Sequence, residues 1–320
     1  MAVITKGARV WVAGHNGLVG SGVARRVAST GAELLTVNRS DLDLRRQSDV
    51  EAWMAQHKPD VVIIAAAVVG GILANRTRPA EFLSDNLLIE TSIINSAHEQ
   101  GVKRLVFLSS SCVYPRLAEQ PIAENSMLTG PLEPTNEWYA VAKIAGQKLC
   151  DALRRQYGRD YISLVPATIY GPGDNFDLEG GHVLPTLMRR FHEGKQTGAP
   201  EIALWGTGSP IREFLHVDDL ADAVVFAADN YVEEGPLNVP ALAETSIRDL
   251  AAMMQEVTGY KGKLAYDTSK PDGMPRKVVD GSRLNALGWR PSTALREGLR
   301  AMYDWYCDRL ERGLPVRGHP

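Results

Sequence analysis

The sequence contains little cysteine: its 320 residues include three, Cys112, Cys150 and Cys307, and no two of them form a CxxC pair. Their scatter and odd number exclude a disulfide framework and give no spacing typical of a zinc site, so we expect no metal. Positive charge is not in excess either, because 38 acidic residues face 35 basic ones and the formal net charge is −3. A protein that binds nucleic acid would carry a basic stripe, so we expect no such partner.

Long hydrophobic runs are absent as well. The longest, residues 61–74, has fourteen residues and is too short for a bilayer, which needs about 20. Lys6 and Arg9 interrupt the apolar stretch that a signal peptide would require. We therefore expect no membrane association, and free thiols favour the cytoplasm as the compartment.

A content of 44% hydrophobic and 23% charged residues is typical of a globular protein, and the length predicts two domains.

Strand and helix patterns alternate strictly along the first half. Strands are predicted at 9–13, 33–37, 61–67, 104–108 and 161–165, with helices at 21–29, 50–56, 84–100 and 139–157. This order predicts an α/β fold with a Rossmann-type, doubly wound parallel sheet and a smaller α/β C-terminal substrate domain. We place the domains at 1–170 and 171–320. A strand entering a helix at 213–228, capped by Asp218, suggests that about 212–230 returns to the first domain.

A GxxGxxG motif, Gly14-His15-Asn16-Gly17-Leu18-Val19-Gly20, directly follows the first predicted strand and opens the first helix. Glycines there allow a tight turn, close approach of the backbone to a pyrophosphate, and close packing of the helix. The helix N-terminus also attracts phosphate. This context predicts a dinucleotide-binding first domain.

The end of the second strand indicates which dinucleotide is bound. NAD enzymes usually carry an acidic residue there, which binds the ribose 2′-hydroxyl. Here the strand runs into Asn38 and Arg39, and no carboxylate occurs before Asp41. A guanidinium suits a 2′-phosphate, so the sequence favours NADP(H). The alternative is that Arg39 is only a solvated surface arginine.

Three residues suggest the chemistry. Tyr139 and Lys143 are four apart on a predicted helix and so share one face. A nearby ammonium is expected to lower the pKa of the phenol from its usual value near 10. Ser110 follows a predicted strand, where active sites of open α/β sheets gather. A tyrosine acid, a lysine that tunes it and a serine that holds a carbonyl would suit reduction of a ketone by hydride.

Together these motifs resemble the extended short-chain dehydrogenase/reductases that act on nucleotide sugars. The likeness extends from Val10 to about Tyr306. Five segments resemble more specifically the enzymes that convert GDP-4-keto-6-deoxy-D-mannose to GDP-L-fucose. These segments are SSSCVYP (109–115), EPTNE (133–137), AKIAG (142–146), GHVLP (181–185) and KPDG (270–273). The resemblance implies epimerisation at C3 and C5, with Cys112 as base and His182 as acid. It also implies NADPH-dependent reduction at C4 by Ser110, Tyr139 and Lys143, and a homodimer through helices 84–100 and 139–157.

The resemblance also implies two sets of binding residues. The expected cofactor contacts are Gly14, Asn16, Gly17, Leu18, Val19, Gly20, Asn38, Arg39, Ala66, Lys143, Pro166, Ile169 and His182. For the GDP-sugar, the resemblance implies contacts by Arg190, Trp205, Arg212 and Asp272, and the cation Lys277 is a further expected contact of the phosphates. Cations suit a diphosphate and a tryptophan can stack on a base or sugar, although each could equally be a surface charge or a core residue.

One segment departs from the family pattern. Ala167-Thr168 stands where its members carry Thr-Asn, and threonine offers fewer hydrogen-bonding groups than asparagine. The alternative is therefore a related epimerase, reductase or both that acts on another GDP-4-keto sugar, such as a 6-deoxyheptose. A nucleotide-sensing regulatory protein is the alternative from another class, but a sensor has no need for all five catalytic-type residues.

Overall fold

The computed structural model describes residues 2–270 and 272–319; Pro271 of the KPDG segment lies outside the described residues. The strands are β1 (Arg9–Ala13), β2 (Glu33–Leu35), β3 (Val61–Ile64), β4 (Arg104–Leu108), β5 (Asp160–Pro166), β6 (Thr168–Tyr170), β7 (Glu201–Trp205), β8 (Ile211–His216), β9 (Pro236–Val239), β10 (Glu244–Ser246), β11 (Lys263–Asp267) and β12 (Arg276–Lys277). The helices are α1 (Leu18–Ala28), α2 (Gln47–His57), α3 (Ile72–Thr77), α4 (Pro79–Glu99), α5 (Glu137–Tyr157), α6 (Val183–Thr197), α7 (Val217–Asn230), α8 (Ile247–Thr258), α9 (Ser282–Ala286) and α10 (Leu295–Glu311).

The main sheet has six parallel strands in the order β2-β1-β3-β4-β5-β9. Side chains alternate between its two faces because the side-chain period of a strand is two. In β1, Val10 and Val12 enter the core under α1 and α7, whereas Trp11 and Ala13 enter the core under α2, α4 and α5. Both faces are therefore covered by helices, which confirms the predicted Rossmann-type sheet. The strand order reverses beside β1, where such folds bind nucleotides.

The second half of the chain forms two small sheets with a core of their own. In one, β8 pairs with β10, β12 and β6; in the other, β7 pairs in parallel with β11. Helices α6, α8 and α10 enclose this core around Phe191, Met254 and Tyr306. The smaller α/β unit thus rests beside the main sheet, and β6 of the first half joins it.

The chain returns to the main sheet once. Helix α7 packs against α1, and β9 adds the sixth strand, while the preceding β8 belongs to the smaller unit. The predicted cap of α7 is wrong: His216, not Asp218, occupies the N-cap. Its Nδ1 accepts a hydrogen bond from the backbone N–H of Asp218 at 3.3 Å. Asp218 lies in the first turn, where its charge favours the positive end of the helix dipole.

Within the part of the chain that the structure describes, no helix combines the length and the apolar character needed to cross a membrane. The same residues hold no group of three or more His, Cys, Asp or Glu side chains arranged to bind a metal ion.

Candidate active site

The predicted site residues of the first half lie at the carboxyl edge of the main sheet. The glycine turn follows β1, Ala66 follows β3, Ser110 and Cys112 follow β4, and Pro166 ends β5. A second-half loop joins this edge, because the N–H of Gly71 donates to the carbonyl of Gly180 at 2.9 Å. His182 follows directly in that loop, so the topology brings residues from both halves to one crevice.

The glycine turn is shaped for a close ligand. Gly14 has φ of 89°, and a Cβ there would lie 2.6 Å from the backbone of Ala66. A Cβ on Gly20 would overlap the carbonyl of Gly14. Gly17 caps α1 without a side-chain hydrogen bond, and α1 has no acidic residue in its first turn. Its N-terminal N–H groups are therefore left for an anion, and the turn fits a pyrophosphate.

The segment after β2 carries the residues expected to select the cofactor. Asn16 of the glycine turn donates to Asn38 at 3.2 Å, and Asn38 donates in turn to Asp41 at 3.3 Å. These bonds tie the two predicted cofactor-binding segments together. Arg39 is exposed, and none of the carboxylates that the structure describes forms an ion pair with it. Its guanidinium can therefore meet a phosphate beside the glycine turn.

Ser110 and Cys112 lie in one short loop. Ser110 caps a 3-10 helix, Ser111–Val113, and its Oγ accepts from the N–H of Cys112 at 3.3 Å. The half-buried Cys112 sulfur accepts from Asn136 Nδ2 at 3.0 Å and lies 3.6 Å from Lys277 Nζ. The hydroxyl and the sulfur are thus two residues apart at the same strand end.

Tyr139 and Lys143 share one face of α5, as the spacing predicts, with the ammonium 5.8 Å from the phenol ring centre. The buried ammonium lies 2.8 Å from the buried carboxylate of Glu90 on α4 and 4.7 Å from the ring centre of Phe107. The pKa of Tyr139 lies above its usual value, because the hydroxyl is desolvated and Cys112 and Glu90 add negative charge nearby. This direction is opposite to the expected one, because desolvation of the phenol dominates and Glu90 compensates the charge of Lys143.

His182 caps α6 at the exposed mouth of the crevice. Desolvation by surrounding protein and the charge of Arg317 hold the pKa of its imidazole below 6.5. A lowered pKa favours the neutral ring, which must take up a proton before it can donate one as an acid.

The residues predicted to bind the sugar nucleotide lie in the smaller unit. Arg190 donates to the carbonyl of Ala203 on β7 at 2.6 Å, and the 72% exposed Trp205 ends that strand. Arg212 on β8 lies in register with Lys277 on β12. The exposed Asp272 accepts from the N–H and hydroxyl of Thr207 at 2.9 and 2.8 Å, just after Trp205.

Two neighbours of the site are absent from the sequence predictions. Glu90 is a charged residue on the apolar face of α4, three and four positions before Ile93 and Ile94, and that misfit was its signal. Asn136 belongs to the EPTNE motif, and nothing in the sequence shows that its amide meets the Cys112 sulfur. Lys277 was predicted to contact phosphate, whereas here its ammonium lies against the Cys112 sulfur.

A parallel sheet with a glycine turn at its switch point, and a tyrosine–lysine pair beside it, defines a dinucleotide-binding enzyme of the Rossmann class. The chain belongs to the NAD dependent epimerase/dehydratase family, whose model matches residues 10–239.

The chain is similar to proteins with one shared name. It is 56% identical to "GDP-L-fucose synthase 1" of Arabidopsis thaliana, over 95% of both chains. It is 47% identical to "GDP-L-fucose synthase" of Escherichia coli strain K12, over 95% of this chain and 98% of the other. A crystal structure of a GDP-L-fucose synthetase from Naegleria fowleri bound to NADP superimposes with a TM-score of 0.90. That match has 28% identity and covers 100% of this chain and 97% of the other.

Proposed function

We propose that the chain converts GDP-4-keto-6-deoxy-D-mannose to GDP-L-fucose, with NADP(H) as cofactor. The observation that carries the proposal is that Cys112 and Ser110 occupy one loop beside the Tyr139 helix. A thiol suited to moving protons at carbon thus lies within a site suited to reducing a ketone. The name shared by the relatives supports the same substrate.

Epimerisation requires a base and an acid on opposite faces of the sugar. A ketone at C4 acidifies the hydrogens at C3 and C5, and the Cys112 sulfur would remove one of them as a thiolate. The electron pair of the broken C–H bond moves into the enolate, whose oxygen Ser110 would hold. His182, once protonated, would return a proton to the other face and thereby invert the centre.

Reduction then uses the residues of α5. When bound, NADPH supplies the hydride that the C4 carbon accepts. The raised pKa of Tyr139 keeps its hydroxyl protonated near neutral pH, so it holds the proton that the developing C4 oxygen needs. Lys143, held by Glu90, would orient the phenol and the ribose of the cofactor.

The smaller unit would bind the GDP portion. Arg190 and Arg212 can pair with a diphosphate, because burial lowers the pKa of each guanidinium and a bound anion would compensate that cost. Trp205 offers an exposed ring for stacking on a base or sugar. We therefore assign the dinucleotide to residues 1–170 with α7 and β9, and the GDP-sugar to most of 171–320.

We also propose a homodimer, which works in the cytoplasm. Helices α4 and α5 pack together and carry large exposed apolar residues, Leu88 on α4 and Trp138 and Val141 on α5. All three cysteines are free thiols, as expected in a reducing compartment.

The test is a two-part assay with GDP-4-keto-6-deoxy-D-mannose. NADPH oxidation should accompany formation of GDP-L-fucose, identified by NMR. Tyr139→Phe should abolish reduction while solvent deuterium still enters C3 and C5, and Cys112→Ser should abolish that exchange. Absence of NADPH oxidation with this substrate, but oxidation with a GDP-4-keto-6-deoxyheptose, would establish the alternative substrate instead.

A further inference from the structure

The Cys112 sulfur receives two nitrogen donors from separate parts of the chain. Asn136, at the N-cap of α5, donates from Nδ2 at 3.0 Å, and Lys277, on β12, approaches with Nζ at 3.6 Å. Lys277 is 165 residues from Cys112 in sequence. The half-buried sulfur is thus contacted both by a residue of α5, which packs on the main sheet, and by a residue of the smaller unit.

The ammonium of Lys277 has no competing acidic partner. Among residues 2–270 and 272–319, no carboxylate lies within 4.0 Å of it, whereas its neighbour Arg276 forms an ion pair with Glu244 at 2.8 Å. The parallel pairing of β12 with β8 sets its position, with Lys277 opposite Arg212. The uncompensated positive charge of Lys277 is therefore directed at the sulfur.

A sulfur that faces an amide N–H and an ammonium is best satisfied as an anion, because a thiolate accepts hydrogen bonds and a thiol accepts them weakly. The other groups that face Cys112 are uncharged at neutral pH: the Ser110 hydroxyl in its own loop and the Tyr139 hydroxyl on α5. The charges of Lys143 and Glu90, which lie beside Tyr139, compensate each other.

We propose that Lys277 is a positioning residue that stabilises the Cys112 thiolate, with Asn136 orienting the sulfur, rather than a contact of the diphosphate. This inference rests on the proposed function, in which that thiolate takes the proton from the sugar carbon. In that step the proton passes to sulfur, the C–H electron pair enters the enolate, and Lys277 keeps its own protons. The base would then become active only when both halves of the chain are folded together.

The test measures the state of the thiol without turnover. The rate at which iodoacetamide alkylates Cys112 is followed from pH 5 to pH 10 in the full chain by peptide mass spectrometry. Lys277→Met keeps the length of the side chain and removes its charge. We expect its alkylation rate at pH 7 to fall about tenfold, because the thiolate is the form that reacts and one nearby charge changes its population by about that factor.

Two matched variants and two internal references control the experiment. Lys277→Arg should keep the wild-type profile, and Arg276→Gln should do so as well, because it loses only the exposed pair with Glu244. Burial raises the pKa of both other thiols, Cys150 and Cys307, so they should react slowly in every variant. If Lys277→Met unfolds, as circular dichroism would show, Lys277→Gln replaces it.

The outcomes separate the inference from the proposed function. If Lys277→Met and the wild type show the same pH profile of Cys112 alkylation, Lys277 does not stabilise the thiolate, whatever the activity of the variant. Deuterium exchange at C3 and C5 that persists in Cys112→Ser overturns Cys112 as base, and thus the proposed function, while the alkylation result stands by itself.

Discussion

Glu90→Gln should strongly destabilise the protein. The Glu90 and Lys143 side chains are 0% and 2% exposed, and their charged atoms are 2.8 Å apart. Among the residues that the structure describes, Lys143 is the one group that donates to the Glu90 carboxylate, and it is also the charge that compensates it. Gly146 leaves room for the pair, since a Cβ there would lie 2.6 Å from Glu90 Oε2. The substitution keeps the shape and leaves a lone buried ammonium.

The magnitude follows from the cost of an uncompensated buried charge. Removing one partner of a buried ion pair costs about 3–5 kcal/mol. That is a large share of the roughly 5–15 kcal/mol by which folded proteins are stable. The double variant Glu90→Gln/Lys143→Met removes both charges of the pair and should recover most of the loss, because a neutral pair avoids the desolvation of two ions.

The assay is urea unfolding at pH 7, monitored by circular dichroism. The wild type, both single variants and the double variant are measured together as a double-mutant cycle. Glu234→Gln is the matched control: its pair with Arg155 is exposed, at 81% and 66%, so the change should be at most about 1 kcal/mol. A loss below about 1 kcal/mol in Glu90→Gln would refute the reasoning, since Lys143 would then not be a buried cation that needs Glu90.

Three further predictions concern the cofactor site and the pH dependence. Gly20→Ala, which pushes a methyl into the Gly14 carbonyl, should cost about 1–3 kcal/mol in urea unfolding and weaken NADPH binding. Gly17→Ala, whose methyl meets Gly14 O at 3.4 Å, should be milder, and equal losses would contradict this. Arg39→Ala should weaken NADPH binding about 10- to 100-fold in fluorescence titration and spare NADH; an equal loss for both would exclude a 2′-phosphate contact. Burial raises the pKa of Asp174 from 3.8 to about 7, so the folded chain keeps a proton that the unfolded chain loses. As the pH rises between these two pKa values, the free energy of unfolding should fall by up to about 1.4 kcal/mol per pH unit. In Asp174→Asn this dependence on pH should be weaker.

Much of the fold could be predicted because its signals are local. The alternation of apolar strands and helices, the glycine turn after β1 and the i,i+4 spacing of Tyr139 and Lys143 each lie within one or two elements. The prediction of Asp218 as the N-cap of α7 was wrong, because local pattern does not fix the first residue of a helix. Asp218 and His216 are two residues apart, and the backbone angles decide which of them is the N-cap.

The electrostatics of the site could not be predicted from local pattern. The effect of Lys143 on Tyr139 depends on Glu90, which reaches it from another helix through the packing of α4 on α5. Glu90 could be recognised as a misfit on an apolar face, but its partner could not, since any buried cation would satisfy it.

The sequence by itself determined the class of fold, the dinucleotide turn and which residue types supply the chemistry, because these depend on short-range spacing and on side-chain chemistry. The tertiary structure decided what each group faces: Glu90 against Lys143, and Lys277 against Cys112 rather than free in solvent. The physical reason is that charge and desolvation act through space. Two residues 165 positions apart become neighbours only when strand pairing in the smaller unit brings β12 to the edge of the main sheet.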